Sequence, residues 1–477
     1  MKTRWLPGRA ALIDMALLGA AWLAIRLPLL VFHLAPLVQV DSFWQRPLPD
    51  SLSSPHAPFL YGQFVFSFGA YWGAIIQHLL VLFAGVVLYE VARRAAGRAA
   101  GLCTGLFIVL HGGFVLYAHS FMSETLFNFF LALHLGALWM ALTADSGKRA
   151  AVWFFVTGVL AGVATNVRPT AQCQVLVLPL AMLPFYVRHG ERLKFVRLTA
   201  ALLAGFALIY VPVATLVWRN ADRFTLSTGM AKVIMYRLVD DQAAPIGRVR
   251  VDDPQLAAIR DYLATPTHGR IWFPAYDHIR TAILGLPADA RYAATLPVDP
   301  YVMRLWWRFV ATYPGHYLAG SLRGLFETLA THVSLTDLYA TSRQQLDPVE
   351  MMRHPLYDLK MLPAPSASHL RLMDRLYYVT DFALTNPVVV GFVLLCGLYV
   401  LSRMQGAARR FLVCVYATAV GVYTPQFFLS IKMSRYRYPF DLVFALLFGI
   451  VAGRLVVVTG EWLRRRKAGN SRARSST

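Results

Sequence analysis

Residues 71–94 read YWGAIIQHLLVLFAGVVLYEVARR. Between Tyr71 and Val91 only Gln77, His78 and Glu90 interrupt the apolar side chains, and Arg93-Arg94 close the run. About 20 apolar residues in a helix are enough to cross a bilayer. An arginine pair at one end marks that end as cytoplasmic. The stretch therefore predicts a transmembrane helix entering from outside and ending inside.

The rest of the sequence repeats this pattern. The 477 residues are 57% hydrophobic and 15% charged, whereas charged residues in soluble globular domains run nearer a quarter. The expected class is an all-α polytopic membrane protein of about ten transmembrane helices. The first apolar run, Ala11–Leu34, follows Lys2, Arg4 and Arg9. It is too long for a signal-peptide core and is read as a retained first span. Further spans are expected near 99–118, 124–142, 150–164, 170–187, 198–218, 382–401, 411–429 and 440–458. Lys148, Arg149, Arg188, Arg192, Arg403, Arg409 and Arg410 then fall inside, as does the basic tail 461–477. This placement also accounts for the net charge of +21 without nucleic acid as a partner. The excess of arginine over lysine suggests a bacterial genome rich in GC, hence the cytoplasmic (inner) membrane.

Four modules follow. Residues 1–218 form an N-terminal membrane module with a first outer loop at 33–69. Residues 219–378 contain no spanning run and are read as a mostly helical extracytoplasmic or interfacial block. Residues 379–460 form a C-terminal membrane module, and 461–477 the tail. Within the block, PYVMRLWWRFVATY at 300–313 sets Met303, Trp306, Trp307 and Val310 on one face and Arg304 and Arg308 on the other. That pattern suits either a helix in the membrane interface or an amphipathic helix on a small domain. The cysteines Cys103, Cys173, Cys396 and Cys414 lie in or beside apolar runs and are read as packing residues.

Cations on the outer side break the charge rule. They are Arg168 in a short turn, and Lys432, Arg435 and Arg437 in SIKMSRYRYP at 430–439. Arginine forks and a lysine point charge suit a phosphate at headgroup level. Arg26, near the outer end of the first span, is read as snorkelling, and His78, His111 and His134 as packed or hydrogen-bonded. Acids occur on the same side: Asp41 just after the first span, and Glu124 at the outer start of the fourth. A carboxylate beside cations can act as a general base. There is no Gly-rich phosphate loop and no Asp-x-Asp, so a nucleotide-sugar site is not expected.

Four short motifs carry a resemblance. They are Asp41 after the first span, Ser123-Glu124 after a short outer turn, Gly158-Val159-Leu160-Ala161-Gly162 leading to Arg168-Pro169, and Arg435-Tyr436-Arg437-Tyr438-Pro439 near the C-terminus. In this order and on one side, they resemble the membrane glycosyltransferases of the GT-C type. In particular they resemble the bacterial branch related to protein O-mannosyltransferases and to the aminoarabinose transferases of lipid A. The resemblance covers residues 1–215 and, more loosely, 380–460. It implies an inverting transfer from a polyprenyl-phosphate sugar donor to an extracytoplasmic lipid, glycan or protein. Asp41 would be the catalytic base; Arg168, Lys432, Arg435, Arg437 and Tyr436 would bind the donor phosphate; Glu124, Trp44 and His56 would orient acceptor or sugar. Where the family often has a second acid, Ser42, Trp44 and Gln45 stand here, so no cofactor is assigned and a divalent metal stays open. A flippase for a lipid-linked sugar is the alternative, but no pair of matching halves appears. A polysaccharide polymerase or ligase would share the donor chemistry.

Overall fold

The computed structural model describes residues 8–32, 59–221, 234, 238, 246–265, 278–285, 298–332, 334–335, 367–429 and 437–475. Among them the regular elements are helices, with no strand. The N-terminal module contains α1 (Arg9–Phe32), α2 (Phe59–Ala96), α3 (Arg98–Leu110), α4 (Gly112–Ala118), α5 (Glu124–Thr143), α6 (Gly147–Val167), α7 (Gln172–Arg188) and α8 (Arg192–Ala221). The central block contributes α9 (Pro254–Ala264), α10 (Asp299–Thr312) and α11 (Pro314–Ala330). The C-terminal module has α12 (Ala367–Thr385), α13 (Pro387–Arg403), α14 (Gly406–Leu429) and α15 (Tyr438–Ser475).

Among the described residues, eight helical segments are long and apolar enough to cross a membrane, or nine if the bent pair α3–α4 counts as one span. The chain is thus a multi-pass membrane protein. The remaining expected span, 411–429, falls on α14, which is 24 residues long. Successive spans run in alternating directions. One end of the bundle therefore collects Arg93, Arg94, Lys148, Arg149, Arg188 and Arg403. The other carries the turn 119–123, the Arg168-Pro169 turn, the central block and the start of α15. The basic end is held by Asp14 of α1, which accepts from Arg98 at 2.7 Å and from the Tyr89 hydroxyl at 2.8 Å.

Local chemistry marks several helix starts. Asp253 caps α9 by accepting from the backbone N–H groups of Gln255 and Leu256, with Pro254 at the first helical position. Asn386 caps α13 in the same way, ahead of Pro387. Both pairs place a side-chain acceptor where backbone donors are orphaned, followed by a residue that needs no donor.

The core lies along α15. Leu442 to Leu447 are buried on every side, as expected of a helix apolar all round. Helices α2, α3, α5, α13 and α14 surround it. On the flank, α6 and α8 cross so closely that a methyl group at Gly158 would overlap the Leu202 carbonyl. Small residues permit such backbone approach between membrane helices.

The central block has its own core. Val302, Leu305, Trp306 and Phe309 of α10 bury against Leu256, Ile259 and Leu263 of α9. Arg304 and Arg308 lie 3.6 Å from Asp253 and 3.8 Å from Asp252. Of the two readings of PYVMRLWWRFVATY, this favours the amphipathic helix of a small domain. Trp307, on the expected apolar face, is instead exposed.

The α3–α4 break lies at the end of the bundle opposite the basic one. His111 adopts an extended backbone (φ −65°, ψ 118°), and the two helices bend by 50°. Two glycines follow, poor helix formers that here meet other chain segments directly. A methyl at Gly112 would run into the Tyr377 carbonyl of α12, and one at Gly113 into the Tyr438 ring and hydroxyl of α15. Gly112→Ala should therefore lower stability by about 1–3 kcal/mol through overpacking. Gly147→Ala, where a methyl meets nothing within 4 Å, should be neutral; thermal unfolding of the two detergent-solubilised variants compares them.

Candidate active site

Buried polar groups flank α4 on two sides. On one side stands Arg437, the residue before α15. Its Nε donates to both oxygens of Asp441 at 3.1 Å, and Nη2 to Asp381 Oδ1 at 3.0 Å. Nη1 faces the Thr331 carbonyl at 3.0 Å and that of Leu329 at 3.4 Å. His332 Nδ1 lies 3.1 Å from Asp381 Oδ2 and 3.1 Å from Arg437 Nη1. His111 Nε2 approaches Asp381 Oδ1 at 3.0 Å and Asp441 Oδ2 at 3.8 Å. The side chains of Arg437, Asp381, Asp441 and His111 are at most 2% exposed. Burial works against the Arg437 cation, but Asp441 and Asp381 outweigh it and hold its pKa above the ordinary arginine value.

On the other side of α4, Arg26 is fully buried, not snorkelling. Its Nη1 donates to the Val109 carbonyl at 2.7 Å, in the last turn of α3, where a cation complements the helix dipole. Its Nε donates to His78 Nδ1 at 3.2 Å. Arginine only donates, so His78 carries its proton on Nε2 and passes it as a hydrogen bond to His119 Nδ1, also at 3.2 Å. Beside them the Tyr61 hydroxyl donates to Gln77 at 3.1 Å, and Gln77 donates to the Ser120 carbonyl at 3.1 Å.

The turn after α4 leads to Glu124. Its Oε1 accepts from Arg168 Nη1 at 3.1 Å, while Oε2 is buried without a hydrogen-bond partner. One turn on, Asn128 donates to the Tyr438 carbonyl at 3.5 Å. The structure thus brings Glu124, Arg168 and Arg437 to one end of the bundle. It pairs Arg168 with the acid and commits every nitrogen of Arg437 to protein groups. Asp41, Trp44, His56, Lys432, Arg435 and Tyr436 lie outside the described residues. Asp381, Asp441 and His332 were not anticipated from sequence. The available signal was an acid within an apolar, span-length run, which is rarely without purpose; for Asp441 there was also an arginine four residues earlier.

His111, Asp381 and Asp441 each offer one ligand atom, and the three lie within 4.8 Å of one another. Imidazole nitrogen and carboxylate oxygen are suitable donors for a divalent metal. The arrangement does not fit one as it stands. The Arg437 guanidinium already lies against both carboxylates, and its charge would oppose a second cation.

The sequence and structure were compared with known proteins. Residues 61–218 match the family described as dolichyl-phosphate-mannose-protein mannosyltransferase. The Archaeoglobus fulgidus oligosaccharyltransferase in its apo form superposes over 98% of this chain with TM-score 0.50 and 14% identity. The chain spans about half the length of that protein, 52%. ArnT from Cupriavidus metallidurans, crystallised with undecaprenyl phosphate, aligns over 93% of this chain and 77% of its own, with TM-score 0.38 and 15% identity. No curated protein matches at the level of sequence. The family match covers residues 61–218, and the superposition on the oligosaccharyltransferase shows a shared fold.

Removing one member of a buried ion cluster strands the others, at a cost of about 3–5 kcal/mol. Asp381→Ala should show a loss of this size in equilibrium unfolding in micelles. Its effect should not add to that of Arg437→Ala, because either change dismantles the same cluster.

Proposed function

We propose that this protein transfers a sugar from a polyprenyl-phosphate carrier to an acceptor on the extracytoplasmic face of a bacterial inner membrane. The observation that carries the reading is the meeting of two distant parts of the chain at one end of the bundle. Tyr61, in the first turn of α2 although the expected first outer loop ran to 69, reaches the 119–123 turn through Gln77. Tyr438, just after the cationic loop, reaches the same neighbourhood through Asn128. Both loops therefore rejoin the bundle beside the Glu124–Arg168 pair, opposite the basic end that the charge rule assigns to the cytoplasm. The donor class follows the family description, whose named donor is a polyprenyl phosphate sugar.

In this reading Lys432, Arg435 and Tyr436 contact the donor phosphate. Asp41 removes the proton from an acceptor hydroxyl or amine. That atom attacks the anomeric carbon, the carbon–oxygen bond to phosphate breaks, and the electron pair stays on the departing phosphate. A single displacement inverts the anomeric centre. Preorganised cations stabilise the charge that develops on the leaving group. Glu124, Trp44 and His56 orient sugar or acceptor, and Arg168 sets Glu124. Arg437 contributes differently from its neighbours. With its donors engaged by Asp381 and Asp441, it anchors the cationic loop rather than touching the phosphate. No step is assigned to a metal.

The test is transfer from a radiolabelled polyprenyl-phosphate sugar by the purified protein in liposomes. Asp41→Asn should lower product formation by about 10²–10⁴-fold, the range of general-base contributions, with donor binding retained. Arg435→Ala should raise KM for the donor far more than for the acceptor. A fully active Asp41→Asn enzyme would remove the proposed base. Sugar that crosses the bilayer with nothing glycosylated would point to a flippase.

A further inference from the structure

The two carboxylates and two imidazoles around Arg437 form a set that elsewhere would be read as a metal centre. His111 Nε2, Asp381 Oδ1 and Asp441 Oδ2 converge from three separate helix ends, and His332 Nδ1 approaches Asp381 from a fourth segment. All four side chains are buried. Two imidazoles and two carboxylates are the donor classes that zinc accepts. A buried pair of carboxylates needs a positive charge close by, because an uncompensated buried ion costs several kcal/mol. In this chain the charge comes from a side chain. One nitrogen of Arg437 lies 3.1 Å from both oxygens of Asp441, and another 3.0 Å from Asp381. Its remaining donors meet the Thr331 and Leu329 carbonyls at the end of α11. The guanidinium is thus itself the bridging cation.

We propose that Arg437 is the resident cation of this cluster, standing where a divalent ion would otherwise bind. The cluster is a metal-independent anchor, and removing the guanidinium converts it into a zinc site. This inference concerns binding and stability, so it holds or fails independently of the sugar-transfer reading.

The test uses the full-length protein in detergent micelles, freed of adventitious metal with chelating resin and then equilibrated with zinc. Arg437→Ala should hold one more zinc per chain than the wild type, measured by elemental analysis. That zinc should disappear in Arg437→Ala/His111→Ala. Zinc should raise the thermal midpoint of Arg437→Ala by several degrees, reversibly with EDTA, and leave the wild-type midpoint unchanged. Guanidinium chloride at millimolar concentration should also raise the midpoint of Arg437→Ala, because it restores the missing cation. If Arg437→Ala does not accumulate in folded form, zinc during expression should recover it, while Arg437→Lys should fold without zinc. A wild-type zinc lost on His111→Ala, or an Arg437→Ala protein that neither takes up zinc nor is stabilised by it, overturns the proposal.

Discussion

A guanidinium shared by two buried carboxylates sets the geometry at one end of this bundle. Taking three such ions out of water is costly. The cost is offset only where their distances and hydrogen bonds are close to ideal. Arg437, Asp441 and Asp381 meet that condition, with His111 and His332 3.0 and 3.1 Å from Asp381. Lipid tails are as apolar as leucine, so contacts between apolar membrane helices provide little drive toward one relative height. The ion cluster supplies what those contacts lack. It ties the α3–α4 break, the end of α11, the last turns of α12 and the first turn of α15 to a common level.

The opposite face of α4 is held by related chemistry with different parts. Arg26 satisfies a carbonyl in the final turn of α3, and the histidine pair continues from there to the end of α4. A helix of seven residues has no independent stability in isolation. Here it persists because polar contacts fix both of its ends and its glycines admit the backbone of α12 and the Tyr438 side chain. The result is a rigid support for the short turn that presents Glu124 to Arg168.

Holding and acting are thereby divided between neighbouring residues. Charges that are buried and bonded to protein groups do the holding. The groups proposed to meet donor and acceptor, Asp41, Lys432 and Arg435, belong to connections between spans, where binding residues commonly sit on a firm scaffold. Arg435 and Arg437 illustrate the division. They are two residues apart and of the same chemistry, yet Arg437 is spoken for by Asp381 and Asp441 whereas the proposed function assigns Arg435 to the phosphate.

Much of the fold was legible in the sequence because hydropathy and arginine placement act locally. The run ending at Arg93-Arg94 and the apolar 442–447 stretch each specify a helix without reference to the rest of the chain. Order along the chain also sufficed to put Glu124, Arg168 and Arg437 at one end of the bundle. What only tertiary structure decided is which charges meet. Arg437 looked like another member of a cationic loop, and Asp381 like an acid near the start of a span. Their pairing joins residues 56 apart, and His111 reaches Asp381 across a still longer separation. Nothing in a local pattern encodes such a meeting, because it depends on helix heights and rotations that arise only when the whole bundle packs.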